Sequence, residues 1–159
     1  MSNKEAATTH EPSLAKGIIA GIIGGVAGTI AMTFATRLFP PRTEEQEDAT
    51  EVVAEKLAGH SLSPETKEVA GEAIHWGFGA AVGAAYGALA EYYPAATAKE
   101  GASFGMALEA LTHETALPAL GIGAPPEDQS MRERASEVTA HVVYGVATEF
   151  VRSLIRKWL

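Results

Sequence analysis

The chain has 159 residues, enough for a single domain, and its 20 aspartate and glutamate residues outnumber its 12 lysine and arginine residues. The resulting net charge of -8 argues against nucleic-acid binding, which needs a basic surface to neutralise phosphates. The absence of cysteine excludes disulfide bonds, thiolate metal sites and a cysteine nucleophile.

The first apolar stretch predicts a membrane-spanning helix. Residues 1–13 are polar and we expect a flexible tail there, but residues 17–36 carry no charge. At about 1.5 Å per residue this stretch is about 30 Å long, the thickness of the hydrocarbon core of a bilayer. We therefore predict a transmembrane helix over about 17–39. A cleaved signal peptide would have a shorter apolar run and a small-x-small cleavage site.

The next segment predicts a short helix outside the membrane. Pro40 ends the first helix, and residues 43–46, Thr-Glu-Glu-Gln, form a capping-box pattern. The helix predicted over about 44–59 is acidic on one side, carries valine and leucine on the other, and ends at Gly59. We expect an amphipathic surface helix.

Three further spans are predicted. Ser63 is a favourable N-cap for a helix over about 64–93, which includes a long uncharged stretch. The other two, over about 101–120 and 136–159, are less apolar, because the third contains two glutamates and a histidine and Glu149 interrupts the fourth. A soluble helical bundle rich in alanine and glycine is therefore the alternative.

Glycines recur at intervals of four residues in these segments, which puts small residues on one helix face where another helix can approach closely. The predicted packing glycines are Gly21, Gly25, Gly79, Gly83, Gly87 and Gly145. The glycine faces also favour a homo-oligomer or a place in a larger membrane complex. The fold class we predict is an all-α integral membrane bundle of about four transmembrane helices plus the surface helix, with residues 14–159 as one domain.

The end of the fourth helix is basic. Arg152, Arg156 and Lys157 lie beside Trp158, a composition that predicts side chains reaching towards lipid headgroups. Four spans place both termini on one side of the bilayer, and these basic residues favour the cytoplasmic side.

Three short motifs occur in a fixed order: HWGFG at 75–79, GASFG at 101–105 and HVVYG at 141–145. Their order resembles the YagU-like family of small bacterial inner-membrane proteins, an uncharacterised domain family. The resemblance covers residues 15–159. It implies about four membrane helices and a multi-pass location in the bacterial cytoplasmic (inner) membrane, and it implies no particular activity.

The ionisable residues inside the predicted spans are His75, Glu109, His113, Glu114, His141 and Glu149. The helix directions place the three histidines at similar depth, in the leaflet away from the termini, and put Glu109 and Glu149 deeper. Ionisable residues in a span are costly and normally face the bundle interior, pair with each other or line a water path.

Three interpretations of these residues stay open. In the structural one, they hydrogen-bond to each other and hold the helices together. In the second, the two deeper glutamates carry protons or ions and the histidines form the mouth of the path. In the third, the three histidines bind a metal with Glu114 or a water as fourth ligand, or two of them ligate haem.

No Walker A loop, GxSxG elbow or Rossmann fingerprint occurs, so we do not expect an enzyme. We expect a small membrane protein of structural, accessory or interaction type, with a link to acid or ion handling and without a cofactor. The alternative is a proton- or ion-conducting or transporter-like oligomer that uses the glutamates and histidines. The third is a membrane protein that binds a metal or haem.

Overall fold

The computed structural model describes residues 11–41, 47–123 and 125–159. These residues form helices joined by short connections, and none of them lies in a strand, so the all-helical expectation is confirmed. In chain order the helices are α1 (Leu14–Leu38), α2 (Ala49–Ala58), α3 (Pro64–Tyr92), α4 (Ala102–Leu111), α5 (Leu117–Ala119) and α6 (Met131–Trp158).

Helix α1 is the one helix in the described ranges that is long and apolar enough, by length and composition, to cross a membrane. It has 25 residues, lies near the N-terminus, and has 33% of its most apolar stretch buried in the bundle. A span at this position agrees with the first predicted helix. The arrangement of four spans stays a prediction for the other helices.

The third predicted helix, over 101–120, is divided in the structure. After α4 the chain forms a π-helical turn, Thr112–Ala116, before the short helix α5. Pro118 gives the physical reason. It has no N–H to donate to the carbonyl of Glu114, and its ring clashes with that carbonyl, so the preceding turn widens.

The helix ends agree with some predicted signals and not with others. Ser63 caps α3 by accepting a hydrogen bond from a main-chain N–H, and Gly59 ends α2 with a left-handed φ of 73°. Helix α2 begins at Ala49, later than predicted, and the predicted capping box at 43–46 lies outside the described residues. Helix α6 begins at Met131, about five residues earlier than predicted, because a serine cap precedes it.

Helix α1 lies in the centre of the bundle and packs along its length against both α3 and α6. Helix α4 packs on α6, and α2 packs on α3. The predicted packing glycines lie in these contacts: Gly21, Gly25, Gly79, Gly83 and Gly87 between α1 and α3, and Gly145 between α6 and the start of α4. A Cβ atom added to Gly21 would lie 2.2 Å from the carbonyl oxygen of Gly83, so the two backbones are in direct contact.

The interior of the bundle is small and polar, whereas many large apolar side chains lie on its surface. Buried polar residues are Thr29, Glu109, Ser136, Glu137, His141, Thr148, Arg152 and Arg156. Exposed apolar residues on the long helices include Ile19, Ile22, Ile23, Ile30, Phe34, Phe78, Leu89, Leu111 and Phe150. Leu111 is 65% exposed and Phe150 is 64% exposed, so both point away from the bundle.

Candidate functional site

Two residues of α6 meet a histidine of the π-helical turn. His113, Glu137 and His141 each offer one ligand atom, and the three atoms lie within 4.8 Å of one another. Nδ1 of His113 lies 3.6 Å from a carboxylate oxygen of Glu137, and the two imidazole rings meet edge to face with centroids 4.9 Å apart. We call these three residues the His–Glu triad.

Local helix geometry positions the triad. Glu137 and His141 are four residues apart, so they share one face of α6. His113 lies in the π-helical turn, where the hydroxyl of Thr115 donates to the carbonyl oxygen of Ala110, five residues earlier, at 2.8 Å. Widened turns of this kind occur often at functional sites, because they displace one side chain from its regular helical position.

His141 is held in one orientation and one tautomer. Its Nδ1 lies 2.8 Å from the main-chain carbonyl oxygen of Glu137. A carbonyl oxygen only accepts hydrogen bonds, so Nδ1 donates and Nε2 keeps its lone pair. The residue is 4% exposed, and packing therefore restrains the ring as well.

Two triad residues, His113 and Glu137, line a groove of about 1070 Å³ that opens between α2, the end of α1 and the start of α3. The other carboxylates among the described residues that line it are Glu47, Asp48, Glu51, Glu55, Glu68 and Glu72. The basic side chains among the described lining residues are Arg37 and Lys67. The described lining of the groove is therefore acidic.

The lining of the acidic groove contains two ion pairs. Lys67 bonds Glu47 at 2.7 Å and Glu55 at 3.2 Å. The main-chain N–H of Leu62, which bonds Glu55 at 2.9 Å, and then Lys67 lower the pKa of the Glu55 carboxyl. Through Glu47, which precedes α2, and Glu55, near its end, these contacts connect α2 to the start of α3.

Two residues of the predicted metal set lie apart from the triad. Nε2 of His75 is 3.4 Å from the hydroxyl of Thr33, and His75 lines the groove. Glu114, predicted as a fourth ligand, is paired with Arg134 at 3.0 Å. The structure thus brings the other two predicted histidines together and adds Glu137 to them.

The two deeper glutamates have different environments. Glu149 accepts hydrogen bonds from Arg152 at 2.7 and 2.8 Å and from the hydroxyl of Tyr86 at 2.8 Å. Glu109 is 6% exposed, and its carboxylate makes no hydrogen bond or ion pair with the residues that the structure describes. Among the described residues, a cation therefore fixes the carboxylate of Glu149 and none pairs with that of Glu109.

The basic end of α6 turns inward. Arg156 donates to both carboxylate oxygens of Glu91, at 2.6 and 3.0 Å, and the main-chain N–H of Ser13 donates to the same carboxylate at 2.8 Å. Arg152 and Arg156 are each 8% exposed. The prediction that these arginines reach towards headgroups is therefore wrong, because carboxylates of α3 and α6 lie close enough to pair with them.

Glu137 is the triad residue that sequence reasoning missed. The predicted fourth span began at about 136, which placed this glutamate at a polar edge. The sequence feature that could have indicated it is the spacing of four residues between Glu137 and His141. Within a helix that starts at Met131, this spacing puts both side chains on one face.

A comparison with protein families identifies the chain at a coarse level. The family model described as "Protein of unknown function (DUF1440)" matches residues 26–150. The chain belongs to this family. The DUF1440 match includes the whole His–Glu triad and ends before Arg152, and it confirms the expected membership of an uncharacterised family. No curated protein and no solved structure matches this DUF1440 chain.

Proposed function

We propose that this DUF1440 protein is an integral membrane protein in which α1, α3, the α4–α5 segment and α6 cross the bilayer. One observation carries the proposal: the buried side chains are mostly small or polar, and large apolar side chains lie outside. Removing apolar surface from water is worth about 25 cal/mol per Å², so a soluble bundle would be expected to bury such side chains. In lipid they are well solvated, and helices associate through small residues and polar contacts.

The helix lengths fit this placement. Helices α1, α3 and α6 have 25, 29 and 28 residues, so each is about 38–44 Å long and exceeds a hydrocarbon core of about 30 Å. The polar first turns of α3 and α6, residues 64–72 and 131–136, would extend into water. The remaining turns of α3 are rich in glycine and alanine, and those of α6 contain Glu137, Glu149, Arg152 and Arg156, so both helices are less apolar than α1 and composition alone singles out α1.

The polar contacts in the interior support a structural or accessory role. The hydroxyl of Tyr144 donates to the carbonyl oxygen of Gly79 at 2.7 Å, and that of Tyr86 donates to Glu149. Both bonds join α3 to α6. Interhelical hydrogen bonds of this kind stabilise membrane bundles, so polar residues serve helix association here. The apolar outer face leaves lipid, a second copy of the chain or a larger membrane complex as its neighbours.

The YagU-like resemblance and the basic residues near the termini favour the bacterial cytoplasmic membrane, with both termini in the cytoplasm. The His–Glu triad and the groove then lie in the opposite, periplasmic half of the protein. This orientation follows from an even number of spans.

Single-cysteine labelling tests the number of spans, because the natural chain has no cysteine to remove. Phe78→Cys, Leu111→Cys and Phe150→Cys place a thiol on the outside of α3, α4 and α6. Ser61→Cys, in the exposed connection after α2, is the matched control. Each variant is treated with a water-soluble maleimide in native membranes, before and after denaturation with SDS.

The proposal predicts rapid labelling of Ser61→Cys in opened vesicles and labelling of the other three variants only after SDS. Labelling of the three helix variants at the rate of the control would contradict the proposal, because α3, α4 and α6 would then lie in water. Protection of one or two of them would reduce the number of spans and contradict the four-span arrangement.

A further inference from the structure

We propose that the His–Glu triad is a binding site for a divalent transition-metal ion, and that zinc is the ion it fits best. The inference goes beyond the structural role above and does not depend on the number of spans. It rests on the donor set, the orientation of the donors, and access from the groove.

The donor set suits zinc. Two imidazoles and one carboxylate, with a water in the fourth position, form a recurrent zinc site, and the same set also binds iron(II). Calcium and magnesium prefer sites made of oxygen atoms alone. Haem between His113 and His141 is disfavoured, because axial ligands lie on opposite faces of the porphyrin and these rings are in direct contact.

The distances require a small closure of the site. Ligand atoms in a tetrahedral zinc site with bonds of about 2.0–2.1 Å lie about 3.3 Å apart. The Nδ1 of His113 and the carboxylate of Glu137 are already 3.6 Å apart, and all three ligand atoms lie within 4.8 Å. Bringing the ligand atoms to this spacing requires at most about 1.5 Å of movement, which rotations of the His113 and Glu137 side chains would share.

The orientation of His141 is a second, independent observation. Metal-binding histidines usually donate their other ring N–H to a carboxylate or a main-chain carbonyl, which fixes the ring and its tautomer. Nδ1 of His141 donates in this way to the carbonyl of Glu137. Nε2 is thereby left as the ring nitrogen of His141 that can bind a metal, and one residue of the triad orients another.

The surroundings provide a route and room for a fourth ligand. The acidic lining of the groove attracts cations towards His113 and Glu137. A second cavity of about 10 Å³ touches the same two residues and is also lined by Gln129 and Glu133. This volume is about that of one water molecule, the usual fourth ligand of an open zinc site.

The test uses the full-length chain, purified in detergent through a tag without histidines and stripped with a chelator that is then removed. Zinc binding is measured by isothermal titration calorimetry and by metal analysis after gel filtration. We expect one zinc per chain. His113→Gln and Glu137→Gln should each weaken binding by more than about 100-fold, beyond what the loss of an outer hydrogen bond costs.

Two neighbouring variants are the controls. Glu114→Gln lies beside His113 in sequence but pairs with Arg134, and His75→Gln lies in the groove outside the triad. Both should bind zinc as the parent protein does. If Glu137→Gln bound zinc as the parent protein does, the assignment of the triad would be overturned. The same holds if His75→Gln lost zinc binding while Glu137→Gln kept it.

Cobalt(II) keeps the proposal testable if a triad variant fails to fold, as judged by helix content and elution volume. The parent protein loaded with cobalt(II) should show the intense visible bands of a four-coordinate ion. A spectrum of the hydrated six-coordinate ion, or no zinc bound to the parent protein, would overturn the proposal.

Discussion

A close backbone contact between α1 and α3 supplies a sharp test of the packing of the bundle. A Cβ atom at Gly83 would lie 2.4 Å from the carbonyl oxygen of Gly21 and 2.5 Å from the Cα of Gly25. Ordinary Cβ contacts begin at 3.4 Å, so Gly83→Ala requires α1 and α3 to separate by about 1 Å. Gly77, in the same helix, has no atom within 4 Å of an added Cβ and provides the matched control.

The two substitutions should have opposite effects on stability. Alanine is favoured over glycine in a helix by about 1 kcal/mol, and this gain applies at both positions. Forcing a methyl group into a close-packed contact costs about 1–3 kcal/mol, and at Gly83 both neighbours are main-chain atoms that cannot rotate away. We expect Gly83→Ala to lose up to about 2 kcal/mol of unfolding free energy and Gly77→Ala to gain up to about 1 kcal/mol.

The assay is unfolding by SDS in mixed micelles, followed by circular dichroism, with the parent protein and both variants in parallel. The variants should differ by about 1–3 kcal/mol, the cost of the packing clash alone, with Gly77→Ala the more stable. Equal stabilities, or a more stable Gly83→Ala, would refute the contact between α1 and α3.

Three further predictions concern charged residues. The main-chain N–H of Leu62 and then Lys67 lower the pKa of Glu55. The ionised carboxylate therefore stabilises the fold at pH values above 4.5, its ordinary pKa, and this stabilisation is lost as the pH falls through the lowered pKa. Between about pH 5 and pH 3 the midpoint of SDS unfolding should therefore fall more in the parent protein than in Glu55→Gln. Equal falls would contradict a stabilising interaction of Glu55 with Leu62 and Lys67. Replacing Glu91 by alanine removes the carboxylate that pairs with the buried guanidinium of Arg156 and should cost about 3 kcal/mol in the SDS titration, whereas a loss below about 1 kcal/mol would contradict a stabilising buried pair. Liposomes with the parent protein should leak protons no faster than protein-free liposomes, whereas a leak abolished by Glu109→Gln would favour conduction over a structural role.

Local signals in the sequence predicted much of the helical framework. Ser63 and Gly59 mark helix ends through their caps, which depend on a few neighbouring residues. Glycine spacing placed Gly21 and Gly83 on packing faces, and the structure puts them in contact. The depth argument placed His113 and His141 at one level, and the structure has their rings in contact.

Features that depend on how helices rotate against each other were not predictable in this way. Glu137 joins the triad because α6 starts early and turns that face towards the π-helical turn. The inward pairing of Arg156 depends on Glu91, which lies 65 residues away in sequence. Periodicity within one helix gives the relative directions of its own side chains and does not give the partner that each direction meets.

Lipid exposure of Phe150 is the most direct test of the proposed membrane bundle. A nitroxide attached to Phe150→Cys and one attached to Ser61→Cys are compared in reconstituted liposomes by electron paramagnetic resonance, with oxygen and a water-soluble nickel chelate as relaxing agents. Oxygen concentrates in hydrocarbon, whereas the chelate stays in water. We predict that the label at 150 meets oxygen and not the chelate, and that the label at 61 shows the reverse. Equal access of the chelate to both labels would contradict the account, because the apolar outside of α6 would then face water.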